Sequence, residues 1–264
     1  MSSAQPPRRR VAALAAILAL ASVAACSRSG AGAPPATTAA AAPARPAPGT
    51  AAPPAPTTTA APPRPLPARF AGGVTPLPAA LAASMRGSTW QPGCPVPLGD
   101  LRLLTLRYWG FDGRVHQGPL VVNAAAAEPL VSVFRRLFQA RFPIDRLHLA
   151  VQYVPGHDDP NDARDYTAGF NCRPVVSARG PVATWSQHAW GLAVDVNPIE
   201  NPAVTSAGYV RNNHARAYRD RSLRRPGMIR PGDVVVRAFA GIGWRWGGYW
   251  SGDKDYMHFS ANGR

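Results

Sequence analysis

"WSQHAWGLAVDVNP", residues 185–198, decides the fold of this chain, because it sets a histidine and an aspartate seven positions apart around one glycine. As a straight helix the segment would part His188 and Asp195 by about 10 Å along its axis. As a straight strand it would part them by more than ~20 Å. Neither puts both on one metal ion, whose ligand atoms crowd within roughly 3 to 4 Å of one another. A bend at Gly191, the residue that turns at least steric cost, would bring them together. After it, "LAVDV" (192–196) alternates, so Leu192, Val194 and Val196 face a core while Ala193 and Asp195 share the other side. The same pattern also suits a loop histidine followed by a solvated strand-end carboxylate.

The far end of the chain holds matching chemistry. In "GWRWGGYWSGDKDYMHFS" (243–260) Asp255 stands three residues before His258, among three tryptophans and Tyr249. Two histidines and one carboxylate form a common catalytic zinc set with a position left for water. A second carboxylate close to a ligand histidine suits a general base. The competing reading is an aromatic core corner that ends in an unremarkable charge.

Between these ends the patterns are those of an α+β domain, a small mixed or antiparallel sheet with flanking helices. "DLRLLTLRYW" (100–109) alternates as a strand, and "EPLVSVFRRLFQARF" (128–142) carries apolar residues at helical spacing with Pro129 near its first turn. "IDRLHLAVQYV" (144–154) alternates as a second strand, and "DVVVRAFAGIGW" (233–244) is a further apolar segment. Residues 201–227 show no sustained period and read as a surface excursion.

The first 80 residues contain no acidic residue. Arg8, Arg9 and Arg10 precede "VAALAAILALASVAAC" (11–26), which is short for a membrane span and has the make-up of an export signal. Its end, Val23-Ala24-Ala25-Cys26, resembles the bacterial lipobox, which implies a leader over 1–25 and a lipidated Cys26 anchoring the chain in the membrane. An incidental thiol in a soluble secreted protein is the other reading. Residues 26–79 are rich in Pro, Ala and Thr, as in "PPATTAAAAPARPAPGTAAPPAPTTTAAPPRPLP" (34–67). They cannot bury enough apolar surface to offset chain entropy and read as a disordered tether. At about 3 Å per residue, such a tether would reach on the order of 100 Å. Residues 80–264 are then the folded domain.

Residues 81–264 hold all 14 acidic and 22 of the 29 basic residues, a net charge of about +8. That suits a cell-wall glycan, a membrane surface or a nucleic acid, and the export signal argues against the last. Cys94 and Cys172 remain once Cys26 is given to the anchor, and an exported protein can oxidise them. Their pairing would stabilise the fold by roughly 4 kcal/mol in the chain-entropy model, against the alternative of two buried thiols.

"SQHAWGLAVDVNP" together with "KDYMHFS" resembles the S-x-H-x-x-G-x-A-x-D and D-x-x-H-F motifs of the zinc D-alanyl-D-alanine carboxypeptidase and L-alanyl-D-glutamate endopeptidase family, the VanY-type and phage-endolysin peptidases. The likeness spans roughly residues 115–260 and includes "FNCRPV" and "GWRWGGYW". It implies the DD-peptidase (hedgehog-like) fold and a zinc ion on His188, Asp195 and His258. It further implies Asp255 as catalytic base, Ser186 as a substrate contact and Arg173 as the group that polarises the scissile carbonyl. The better-known carboxypeptidases have glutamate where this chain has Asp255, which leaves the cleaved bond open. The expectation is a monomeric, membrane-anchored lipoprotein facing the cell wall and hydrolysing peptidoglycan stem peptides. A wall-binding module that keeps the fold without turnover is the alternative.

Overall fold

The structure, a computed structural model, describes residues 68–152, 159–177 and 180–264. The expected leader, Cys26 and the expected tether up to residue 67 lie outside the described residues. Gly72–Pro76 forms strand β1, so ordered chain begins inside the segment expected to be linker. The reason is local: Phe70 and Val74, the first large apolar residues after the proline-rich run, pack against the core. Helix α1 (Ala79–Met85) follows.

Strands β2 (Leu101–Trp109) and β3 (Val115–Asn123) make an antiparallel ribbon with β1 on its outer edge, in the order β1-β2-β3. The expected strand over 100–109 is present. Helix α2 (Ala124–Gln139) packs on this sheet and begins a turn earlier than its apolar period suggests, leaving Pro129 inside the helix. Asn123 accounts for the shift, since its side chain accepts from Ala125 N as an N-cap and four alanines then favour helix.

The strand expected over 144–154 shrinks to β4 (Arg146–Leu147), paired in parallel with β5 (Tyr166–Thr167). Past it, the Asn161 side chain takes over Val151, accepting from its N at 2.7 Å and donating to its O at 3.0 Å. Those are the bonds a neighbouring strand would have supplied. Tyr153 and Val154 lie outside the described residues. Asn161 belongs to the short helix α3 (Pro160–Ala163).

The chain then runs through the hairpin β6 (Pro174–Ser177) and β7 (Gly180–Trp185) into β8 (Ala193–Asp195), the "LAVDV" strand. Two-residue β9 (Ala203–Val204) opens the excursion, which is anchored by the buried Val210 and Ala215. The apolar segment at 233–244 is helix α4 (Val234–Ala240), capped by Asp233. Strands β10 (Arg245–Trp246), β11 (Lys254–Asp255) and β12 (His258–Ser260) complete the chain.

A second antiparallel sheet runs β10-β12-β8. One core joins the two sheets: Leu104, Leu120 and Val122 from the first, Phe134 and Leu137 from α2, and Val194, Trp246 and Phe259 from the second. Phe259 stacks on Phe239 of α4 with ring centroids 4.0 Å apart. The architecture is α+β, with several small sheets and few helices. Among the described residues no helix is long and apolar enough to cross a membrane.

Candidate metal centre

Ser186 starts the site without lining it. It is buried, and its Oγ accepts from His188 N at 3.3 Å, capping the 3-10 turn Gln187–Trp190. The turn ends at Gly191, whose φ of 65° is left-handed and whose missing Cβ would stand 2.6 Å from Asn123 N. Only glycine meets both conditions. The bend reverses the chain into β8, where Asp195 pairs with His258 of β12 in antiparallel register.

Three residues far apart in sequence thereby converge. His188 Nε2 lies 3.0 Å from Asp195 Oδ2, and His258 Nδ1 lies 3.1 Å from Asp195 Oδ1. The two inner ring nitrogens are 3.3 Å apart. All three side chains are largely buried, and among the described residues no other His, Cys, Asp or Glu group has this metal-ligand grouping.

Each outer ring nitrogen is already engaged. His188 Nδ1 is 2.7 Å from Gly169 O, and His258 Nε2 is 3.2 Å from Arg264 O. A main-chain oxygen can only accept, so both outer nitrogens carry the hydrogen and the neutral rings turn lone pairs inward. Two lone pairs and a carboxylate facing one another repel unless a cation lies among them. Such outer carbonyl partners are the usual way that metal-binding imidazoles are oriented. The group can hold a metal ion.

Without a cation the three groups act on one another strongly. Burial opposes ionisation of Asp195, but the two histidines outweigh it and hold its carboxyl below the usual range. Burial likewise works against charge on His258, and Asp195 reverses the balance and raises it.

The back of the site is the extended segment 168–173. Ala168 and Asp195 exchange both main-chain hydrogen bonds, at 3.0 and 3.2 Å, and Asn171 N donates to His188 O. Cys172 is disulfide-bonded to Cys94 with Cα atoms 5.9 Å apart. Arg173 follows directly, its Nε 3.7 Å from Asp159 Oδ2.

A cavity of about 250 Å³ opens in front, lined by Asp195, Asp255, Arg173, Asp162, Trp250 and Met257 among others. Asp255 Oδ1 is buried and, among the described residues, has no hydrogen-bond partner. From the protein's own charges, burial first and Asp195 second push Asp255 up to about 7, against the pull of His258 and Arg173. A carboxylate with one unpartnered oxygen, pushed towards neutrality beside a group that can hold a metal, suits proton transfer. Asp253, two positions earlier, is exposed and accepts from Ser206 N at 2.8 Å, so it clasps a loop.

Residues 179–261, which contain the three converging side chains and Asp255, match the family model described as D-alanyl-D-alanine carboxypeptidase. Over that segment the chain is similar to D-alanyl-D-alanine carboxypeptidases. The match covers just under a third of the chain and supports a peptidase, hence a hydrolase. No curated protein and no solved structure matches the chain significantly.

Several contributors carried no sequence signal of their own. The oxygens of Gly169 and Arg264 act through the main chain. Trp250, whose ring centroid lies 5.5 Å from that of His258, sat unassigned in the aromatic run. Asp159 and Asp162, by contrast, belong to the acidic "HDDPND" before "FNCR", a cluster of charge that the sequence does display.

Proposed function

We propose that this protein is a zinc peptidase that hydrolyses peptidoglycan stem peptides, with the DD-peptidase (hedgehog-like) fold and D-alanyl-D-alanine carboxypeptidase or L-alanyl-D-glutamate endopeptidase action. The observation that carries the reading is the convergence of two buried histidines, whose outer nitrogens are already bonded, on the largely buried carboxylate of Asp195. His188, Asp195 and His258 are the ligands. When bound, zinc supplies a Lewis acid that lowers the pKa of water towards neutrality.

The chain's own residues do the rest. Asp255 takes a proton from the attacking water at its unpartnered oxygen and passes it to the departing amine. Arg173 faces the cavity and balances the negative charge that grows on the scissile carbonyl oxygen. Ser186 acts from behind by fixing His188. The lipobox-like Val23-Ala24-Ala25-Cys26 supports export and acylation at Cys26, which would hold the protein at the membrane facing the wall.

The test is incubation of the zinc-loaded protein with defined muropeptides and identification of the products by mass. Loss of a terminal D-alanine, or a cut between L-alanine and D-glutamate, is expected, and a chelator should abolish it. Intact muropeptides would leave a wall-binding lipoprotein instead.

A further inference from the structure

Residues 205–232 contain seven arginines and a single acid, Asp220. The acid is occupied locally, its Oδ1 accepting from Ser222 N at 2.9 Å and from Ser222 Oγ at 2.6 Å. Two arginines are turned inward: Arg230, whose Nη2 is buried, and Arg221, which fastens the segment. Arg221 donates to Glu200 O, Tyr218 O, Asn201 Oδ1 and Ile229 O, and its guanidinium sits 4.4 Å from the Tyr256 ring centroid. Arg211, Arg216, Arg219, Arg224 and Arg225 are exposed.

The local helix sorts these side chains. Asn213–Tyr218 is a 3-10 turn, in which residues three apart share a side. Ala215 is fully buried and Tyr218 half-buried on the inner side, while Arg216 and Arg219 line one outer depression with Tyr209. Tyr209 and Arg211 also line the cavity in front of the metal centre. A positive track therefore leads from the outer surface to the mouth of the site.

We propose that this arginine arm docks the carboxylate-bearing strands of polymeric peptidoglycan and guides them to the cleft. The inference rests on the peptidoglycan reading above. Guanidinium forks match carboxylates in paired hydrogen bonds, and several such contacts on one polymer add where a lone surface ion pair is weak. A bilayer is the poorer fit, because Tyr209 is the large apolar side chain most exposed on the arm and gives little to insert.

The experiment uses the full chain carrying Cys26→Ala, which removes the expected acylation, and measures co-sedimentation with purified wall sacculi. Arg216, Arg219 and Arg224 are changed together to Gln, and in a second variant to Lys. The Gln variant should lose retention by about tenfold, the Lys variant should keep most of it, and added salt should weaken both the parent and the Lys variant. Sacculi with amidated carboxyl groups should retain neither, whereas sacculi stripped of phosphodiester polymers should bind as before. Cleavage of a short soluble stem peptide should be unaffected by the Gln variant. Equal retention of parent and Gln variant, dependence on phosphodiesters, or stronger binding to anionic phosphatidylglycerol vesicles would each overturn the proposal. Arginine-dependent retention without any hydrolysis would uphold the docking surface and reject the peptidase reading.

Discussion

His188 gives its Nδ1 hydrogen to the carbonyl of Gly169 at 2.7 Å, and that bond fixes Nε2 as the nitrogen facing Asp195. The orientation of the His188 ring is thus built into the main chain of the segment that Cys172 staples. Zinc bound with one ligand removed keeps two, one fewer than the three protein ligands of a catalytic site. His188→Ala is expected to fall from about one zinc per chain to a small fraction of that, by elemental analysis after dialysis. Full zinc content in that variant would remove His188 from the ligand set.

Gly191→Ala should be destabilising for two separate reasons. The left-handed backbone strains any other residue, and the new Cβ would meet Asn123 N. Together these are worth on the order of 1 to 3 kcal/mol. Because His188 and Asp195 lie either side of the bend, zinc affinity should fall with the melting temperature. A variant that melts as the parent does, with unchanged affinity, would show that the bend does not set the site.

Cys172→Ser opens a bridge that spans 78 positions. Loss of about 2 to 5 kcal/mol is expected from thermal or denaturant unfolding. The bridge ends one residue before Arg173 and three after Gly169, so its removal should also weaken zinc binding in competition with a chromophoric chelator. Lower stability with unaltered zinc affinity would make the bridge a staple of the fold alone.

Away from the site, Asp165 and Glu200 form a buried carboxyl pair. Burial, then the charge of Glu200, pushes Asp165 up to about 8, while Ile199 N donates to its Oδ1 at 2.7 Å. The folded state therefore holds a proton that the unfolded chain releases near its ordinary value of 3.8. This contribution is fully present below that value and is lost as pH rises towards about 8. Asp165→Asn keeps an oxygen for Ile199 and a donor for Glu200 without the ionisation. Its melting temperature should exceed the parent's at pH 8.5 and approach it at pH 5. The same gain at both values would refute the linkage.

Much of the site could be read from residue types and spacing. The meeting of His188, Asp195 and His258, the bend at Gly191 and the Cys94–Cys172 pair follow from motifs and chain bookkeeping, because glycine, histidine and cysteine carry sharp local constraints. The misread elements were those in which a side chain replaced a main-chain partner. Asn161 bonding Val151 ended a strand that alternation extends, and Asn123 capping α2 moved its start ahead of Pro129. The outer partners of the histidines were illegible for a plainer reason: a carbonyl oxygen belongs to every residue, and only folding selects Gly169 and Arg264.

Asp255 and Asp253 offer the sharpest contrast, since two carboxylates in one short loop have opposite surroundings. Both border the cavity, but Asp255 Oδ1 is buried without a partner among the described residues, while Asp253 is exposed and holds Ser206 N. If Asp255 moves the proton without binding the metal, Asp255→Ala should keep its zinc and its fold. Its turnover of a stem peptide should nevertheless fall by a factor on the order of 100 to 10,000, the usual worth of a general base. Asp253→Ala loses one exposed hydrogen bond, worth about 0.5 to 1.5 kcal/mol of loop stability, and should turn over substrate nearly as the parent does. Steady-state hydrolysis and zinc content are measured on the same samples. Zinc loss in Asp255→Ala would make that residue a fourth ligand. A silent Asp255→Ala beside an inactive Asp253→Ala would transfer the base to the residue that clasps Ser206, and with it the side of the cavity from which water attacks.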